Sequence, residues 1–355
     1  MTSFIQTRVH GSVAEIVLDR PRALNALDSS MIRDIHAALV KWRDDDAITA
    51  VLVTSSSDRA FCAGGDIKSV RQSALDRDHN AVHKFFSTEY ELNALIADYP
   101  KPYIALIDGH AMGGGLGISV HGSVRVVTER AALAMPETAI GFFPDVGASY
   151  FLPRLTGATG MYLGLTGARA SGADAVAAGL ATHFVPSDKL DALAGDLRAM
   201  QGGDAAEVDR VLARHATAAP ASELADRQDE IDRVFGSGSL TDMVARLTGD
   251  DVWTKTTREE LTSLAPSSLW ITAELVRRGA ELTLAQCLDL ELALGAEVTR
   301  NADFVEGVRA VLVDKDRKPS WNPPSIGDID PEAISALFTE ITAEIVDSQP
   351  SHGGR

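Results

Sequence analysis

The sequence predicts an α/β fold with a helical second half, on three observations. Short apolar runs in the first half alternate with stretches of helical spacing. Glycine-rich segments follow strand candidates at Gly64 and Gly113. Beyond about Asp188, strand signals become rare and Ala, Leu, Asp, Glu and Arg dominate. Short buried strands separated by helices imply crossover units and covered sheets. A chain of 355 residues has room for about two domains, or one large domain with an appendage. The expected organisation is a core over 1–200, a helical region over 201–340 and a disordered tail over 341–355.

The elements follow in order. Val13 to Leu18 is a strand candidate stopped by Asp19-Arg20-Pro21. Asp28, Ser29 and Ser30 can cap a helix whose apolar stripe is Ile32, Ile35, Leu39 and Trp42. Ala50 to Thr54, Pro102 to Ile107 and Val124 to Thr128 are further strand candidates, the second closed by Asp108-Gly109. In the second half, Phe235 to Ser239 reads as an exposed loop. Thr283 to Gln286 has the capping-box pattern. Behind it, Leu284, Cys287, Leu290, Leu294 and Val298 recur as on a buried helix face.

Composition removes several function classes. The formal charge is −17, which argues against nucleic acid as a partner, because phosphate neutralisation needs a basic surface. No apolar run approaches the ~18 residues of a membrane span. The N-terminus has neither a signal-peptide nor a transit-peptide pattern. Cys62 and Cys287 are the two cysteines, and a disulfide between them is not expected. The reading is a cytoplasmic protein with no membrane association.

Three segments carry chemistry. Ala60 to Lys68 contains Gly64-Gly65, a turn able to aim backbone N–H groups at a ligand; a plain tight turn is the alternative. Gly109 to Val120 contains Gly113-Gly114-Gly115 opening an apolar, helix-like stretch. Free N–H groups there can bind a phosphate or an oxyanion, unless the glycines only allow close packing. The spacing is not that of a dinucleotide fingerprint. Met135 to Gly147 places Glu137 and Asp145 in an apolar loop. Carboxyls in such surroundings have raised pKa values and suit acid–base work. A helix cap and an Asx-turn are the plain alternatives.

Together these segments resemble the crotonase (enoyl-CoA hydratase/isomerase) superfamily, and more narrowly its 3-hydroxyisobutyryl-CoA hydrolase branch. The likeness runs from Arg20 to Leu27 through Lys101-Pro102-Tyr103, Val120-His121-Gly122, Phe151 to Leu155 and Ala181 to Val185. It ends with Asp303 to Ala310, Lys315-Asp316 and Pro319-Ser320-Trp321. It implies a core of repeated ββα units with two roughly perpendicular sheets and a helical C-terminal region. It implies an acyl-CoA substrate whose thioester oxygen is held by the backbone N–H groups of Gly65 and Gly114. Losing one such donor costs about 2.7–4 kcal/mol of barrier. The resemblance further implies substrate contact by Glu89, and CoA contact by Leu24 to Ala26 and by Ala63, Asp66 and Ile67. Arg20, Arg22, Lys68 and Arg71 are the candidate cations for its phosphates. No cofactor is implied beyond the CoA of the substrate itself. Superfamily members are often trimers or dimers of trimers, so a homo-oligomer is compatible with the likeness.

Hydratases of this superfamily use two glutamates around one water. One is matched by Glu137; the other position is Gly117, which has no side chain. The hydrolase branch is characterised by the pair Glu137 and Asp145, both present. The expected activity is therefore hydrolysis of 3-hydroxyisobutyryl-CoA in valine degradation. A hydratase or isomerase, and a non-catalytic CoA-binding scaffold, are the rival readings. For Glu89 the alternative is a solvated charge on a helix face. His79 and His83 have i, i+4 spacing without a third ligand, so no metal is expected. Cys62 reads as a small buried residue, His110 and His121 as structural. Ser119 and Ser149 lack a triad signature.

Overall fold

Each apolar run of the first half becomes a strand of one sheet. The computed structural model describes residues 3–202 and 204–348. Its strands are β1 (Ile5–His10), β2 (Val13–Leu18), β3 (Ala50–Ser55), β4 (Ala60–Cys62), β5 (Tyr103–Ile107), β6 (His110–Met112), β7 (Val124–Val127), β8 (Ala132–Ala134), β9 (Ala170–Ser171) and β10 (His183–Phe184). The larger sheet has the order β1-β2-β3-β5-β7-β10, with β1 antiparallel and the others parallel. The smaller has the order β4-β6-β8-β9, with β4, β6 and β8 parallel. In each successive pair, β3–β4, β5–β6 and β7–β8, the first strand joins the larger sheet and the second the smaller.

The larger sheet is buried on both faces, which explains its unbroken apolar runs. Ala14, Ile16, Leu18, Val51, Val53, Ala105 and Ile107 face the main core. Val13, Ala50, Leu52, Ile104, Leu106 and Val126 face the other way, against Leu193 and Leu197 of the helix Ser187–Arg198 and Val208 and Leu212 of the helix Ala205–His215. The main core continues without a break into the C-terminal helices: Leu269, Leu290, Leu294, Phe304 and Phe338 belong to it.

Helix α1 (Ser29–Arg43) starts where Asp28 accepts from the N–H groups of Ser30 and Met31, and buries the expected stripe. Helices α2 (Ile67–Leu75) and α3 (His79–Ala97) follow. The glycine run opens a single turn, α4 (Gly114–Gly117), not a long helix. Next comes the short α5 (Ala148–Phe151).

Several elements differ from the sequence expectations. β1 carries no apolar run, because it is an edge strand with mostly exposed residues, and the strands of the smaller sheet are too short to show a period. Phe235 is buried at the end of the helix Gln228–Phe235, so the loop begins at Gly236. Residues 341–348 are not a disordered tail: the helix Pro331–Ser348 includes them and buries Ile341. Residues 349–355 of that expected tail lie outside the described residues. The capping box at Thr283 opens the helix Leu284–Val298, and both reciprocal bonds are present.

Candidate active site

The smaller sheet brings the three chemical segments together. β4, β6 and β8 are neighbours and parallel, so the chain leaving each one emerges at the same edge. Adjacent strands lie about 4.8 Å apart. Ala63-Gly64-Gly65 follows β4, Gly113-Gly114 follows β6, and Met135-Pro136-Glu137 follows β8. Gly65 and Gly114 are close enough that a Cβ on Gly114 would lie 3.2 Å from the Gly65 nitrogen. Neither N–H donates to an acceptor among the described residues. Two unpaired N–H groups this close can serve one oxyanion.

Carboxyls surround these two N–H groups. Gly113 has φ +47°, and a Cβ there would meet Glu137 Oε1 at 2.6 Å, so only glycine lets this carboxyl lie over the turn. From α3, Glu89 points at Gly114: a Cβ on Gly114 would meet Glu89 Oε1 at 2.3 Å. Glu89 is fully enclosed, and thus not a solvated helix-face charge; its Oε1 and Glu137 Oε2 have no hydrogen-bond partner among the described residues. Asp145 completes the set, and its Oδ2 accepts from the Tyr90 hydroxyl at 2.7 Å. The remaining wall is apolar: Ile67, Met112, Ile140, Phe142, and Val311 and Leu312 from the π-helical turn Arg309–Val313. The enclosed and mouth space together is about 700 Å³.

This setting raises the pKa values of the carboxyls. Burial raises Glu137 well above the ordinary carboxyl range, and the nearby Asp145 and Glu89 charges add to it. Burial and Asp145 do the same to Glu89. Burial pushes Asp145 up to about 7, moderated by the Tyr90 hydrogen bond. Glu15 shows the contrast. Its side chain is buried too, but Arg198, Thr54 and His10 bond its carboxylate and hold its pKa low against burial. Among the described residues the pocket carboxyls have no such cation.

The loop bearing Asp145 is braced from outside. Val146 has φ +55°, rare for a β-branched residue. His121 Nε2 lies 2.7 Å from the Val146 carbonyl oxygen. A carbonyl only accepts, so Nε2 carries the proton; burial lowers the imidazole pKa to about 4. Glu291, on the helix Leu284–Val298, accepts from the N–H groups of Gly147 (2.7 Å) and Ser149 (2.9 Å) and from the Ser149 hydroxyl (2.5 Å). Sequence reasoning missed Tyr90 and Glu291. The available signal was a charged residue inside a buried stripe: Glu291 shares its helix face with Cys287, Leu294 and Val298, and Glu89 shares one with Val82, Phe86 and Asn93.

Gly117 is closed to any side chain. A Cβ would lie 2.8 Å from both Asn93 Nδ2 and Val146 Cβ. Asn93 is itself buried, with neither amide atom paired among the described residues.

The expected CoA contacts divide. Ala63 and Ile67 line the pocket with Gly65, Gly114, Glu89, Glu137 and Asp145. Leu24, Ala26 and Asp66 sit just outside, in a loop pair tied by Ala63 N–H to Leu24 O, Leu27 N–H to Gly64 O and Asp66 N–H to Leu27 O. Arg20 is occupied: it donates to the Ala26 carbonyl and to Asp66. Arg71 is occupied as well, by the Val305 carbonyl. Arg22 and Lys68 are exposed. Cys62 is buried against the Asn25 carbonyl, and burial pushes its thiol up to about 12, so it is no nucleophile. Ser119 bonds the Gly115 carbonyl, and Ser149 serves Glu291. His79 and His83 are exposed on α3.

Comparison with known proteins agrees with this frame. A family model described as enoyl-CoA hydratase/isomerase matches residues 13–338. A Xenopus laevis protein named 3-hydroxyisobutyryl-CoA hydrolase, mitochondrial, is 42 % identical over 337 residues, 93 % of this chain and 87 % of the relative. A crystal structure described as a carnitinyl-CoA dehydratase from Mycobacterium thermoresistibile superposes with a TM-score of 0.89 at 38 % identity, covering 95 % of this chain and 96 % of that one. One described as an enoyl-CoA hydratase from Rhodobacter sphaeroides 2.4.1 gives 0.88 at 38 %, covering 95 % and 97 %. With its paired glycine turns, repeated two-sheet core and these matches, the chain belongs to the enoyl-CoA hydratase/isomerase family.

Proposed function

We propose that this protein hydrolyses the thioester of a short 3-hydroxyacyl-CoA, with 3-hydroxyisobutyryl-CoA as its substrate in valine degradation. The products are CoA and 3-hydroxyisobutyrate. One observation carries the choice of reaction. Glu137 lies over the Gly113–Gly114 turn, whereas position 117 has no room for a second carboxylate. Hydration of an enoyl group needs one group to deliver hydroxide and another to protonate carbon. Hydrolysis needs one base or nucleophile beside an oxyanion site. The hydratase and dehydratase descriptions of the two similar structures support the rival reading, and Gly117 stands against it.

In the proposed reaction the thioester oxygen accepts from the Gly65 and Gly114 N–H groups, and its carbon faces Glu137. Glu137 takes a proton from water as the water oxygen bonds that carbon; alternatively its carboxylate attacks first and water opens the anhydride. Both routes need the same position, with reacting atoms about 3 Å apart. The C–S bond breaks and CoA leaves as a thiolate, which takes up the proton; a thiol pKa near 8.5 makes it a good leaving group. Glu89 and Asp145 supply more hydrogen-bonding capacity than this requires, which suits a substrate carrying its own hydroxyl. Arg22 and Lys68 are the proposed partners of the CoA phosphates, and the reaction as proposed uses no further cofactor. The Xenopus laevis relative is named mitochondrial; a cytoplasmic location for this chain is a proposal that cell fractionation tests.

The deciding experiment compares thiol release from 3-hydroxyisobutyryl-CoA with loss of enoyl absorbance from crotonyl-CoA in water. Thiol release without hydration supports the hydrolase. Hydration without thiol release overturns it.

A further inference from the structure

Glu291 is fully buried and 146 positions beyond Asp145 in the chain, yet it holds the same loop. Among the described residues no cation forms an ion pair with it. Its carboxylate instead accepts three hydrogen bonds, from the Gly147 N–H, the Ser149 N–H and the Ser149 hydroxyl. Those donors begin two residues after Asp145. The residue between, Val146, is in the left-handed region, where a β-branched side chain crowds its own backbone. A loop in that conformation persists only when its surroundings fix it. His121 fixes the Val146 carbonyl on one side, and Glu291 fixes Gly147 and Ser149 on the other. Burial pushes the Glu291 carboxyl up to about 8, even as the bonds from Gly147 and Ser149 pull it down; the anchor is strongest in the ionised form, since charged hydrogen bonds are roughly twice as strong as neutral ones.

We infer that Glu291 is a positioning residue: from the C-terminal helical region, its carboxylate fixes the Gly147–Ser149 backbone and so the place of the Asp145 carboxyl beside the substrate. This ties the helical second half of the chain to turnover as well as to the core. The inference rests on the hydrolase reading for the role of Asp145, while the clamp itself is measurable without substrate.

The test is Glu291→Gln. A glutamine offers one acceptor oxygen where three donors converge, and its NH2 faces a donor. The expected result is a fall in kcat of roughly 10–100-fold, as for reacting groups displaced by about 1 Å. KM for the acyl-CoA should change by less than about 3-fold, because Glu291 lies outside the pocket lining. Amide hydrogen exchange over residues 143–151 should accelerate. Leu294→Ala, in the same helix, controls for a merely structural role. It should lower the melting temperature but leave kcat and the exchange of 143–151 unchanged. If Glu291→Gln does not fold, Ser149→Ala removes one donor and leaves the carboxylate with its other two. It should show the same exchange change and a kcat loss of roughly 3–10-fold. Wild-type kcat and exchange in Glu291→Gln, or equal kcat losses in Leu294→Ala, would overturn the proposal. A wild-type protein that released no thiol would instead sink the hydrolase reading, and the exchange measurement would still decide the clamp.

Discussion

Gly65, Gly114 and Glu137 stand just beyond the ends of three hydrogen-bonded parallel strands, whereas Asp145, in the same pocket, belongs to no strand. The first group is placed by the sheet itself. Strand spacing and direction bring the two N–H groups and the carboxyl to one edge, and glycines let them approach. The second is placed by side chains from distant parts of the chain: Tyr90 on α3, His121 after α4 and Glu291 on a C-terminal helix. The strand-end side needs little besides the backbone. The Asp145 side depends on three separate hydrogen-bonded props and on a residue in a costly conformation. The difference shows how one pocket combines backbone donors set by a sheet with a carboxyl set by side chains from outside it.

Breaking the strand-end side should have the largest effect. Glu137→Gln keeps the shape and removes the base or nucleophile; turnover should fall by several powers of ten with modest change in substrate binding. Steady-state thiol release and ligand titration measure the two quantities. Near-normal turnover would remove Glu137 from the chemistry. Gly114→Ala attacks the oxyanion site through bulk, since the new methyl group would collide with Glu89 and crowd the Gly65 nitrogen. Turnover should fall about 10²–10³-fold, the loss expected for one oxyanion donor. An alanine variant with normal kcat would show that this N–H does not hold the thioester oxygen.

This division also explains what could be read in the sequence. Val13 to Leu18, Ala50 to Thr54 and the helix after Asp28 were legible because burial on a sheet or helix face imposes a period or an apolar run. The glycine turns were legible because no other residue fits at Gly113 or Gly114. The edge strand Ile5–His10 was not, since its exposed positions carry no pattern. Nor were Tyr90 and Glu291, because their partners lie 55 and about 140 residues away, and no local rule encodes such contacts. Asp145 itself was visible in the sequence, but its props were not.

Tyr90→Phe sharpens the comparison from the weaker side. It removes the hydrogen bond to Asp145 Oδ2 while keeping the ring in the core. Turnover should fall by roughly 10-fold, the effect of one hydrogen bond to a charged group. That hydrogen bond lowers the pKa of Asp145 against the upward push of burial. Without it, the carboxyl should take up its proton at higher pH, and the acid limb of the kcat profile, shared by the Asp145 and Glu137 pair, should move to higher pH. A profile with an unmoved limb would mean that Asp145 is not part of the titrating set.

The smallest expected effect concerns stability, and it separates the pocket from the rest of the core. Glu137 binds its proton more tightly folded than unfolded, because burial raises its pKa. Its favourable contribution is complete below the unfolded value of about 4.3 and fades as pH rises through the folded one. At pH 8 the wild-type protein carries the cost of an ionised or forcibly protonated carboxyl in an apolar pocket, and Glu137→Gln does not. The variant should therefore melt roughly 1–4 °C higher at pH 8 and close to wild type near pH 4, as followed by calorimetry. Glu15→Gln should do the reverse. Arg198, Thr54 and His10 hold the Glu15 pKa low in the folded state, so its contribution is present at neutral pH and lost on acidification. Glutamine there leaves the Arg198 guanidinium without its partner and should lower the melting temperature most at neutral pH. Opposite signs for these two buried glutamates would tie the difference to the Arg198 partner of Glu15, which the pocket carboxyls lack among the described residues. The same sign at both would mean that the pocket carboxyls are compensated in solution by partners outside the chain.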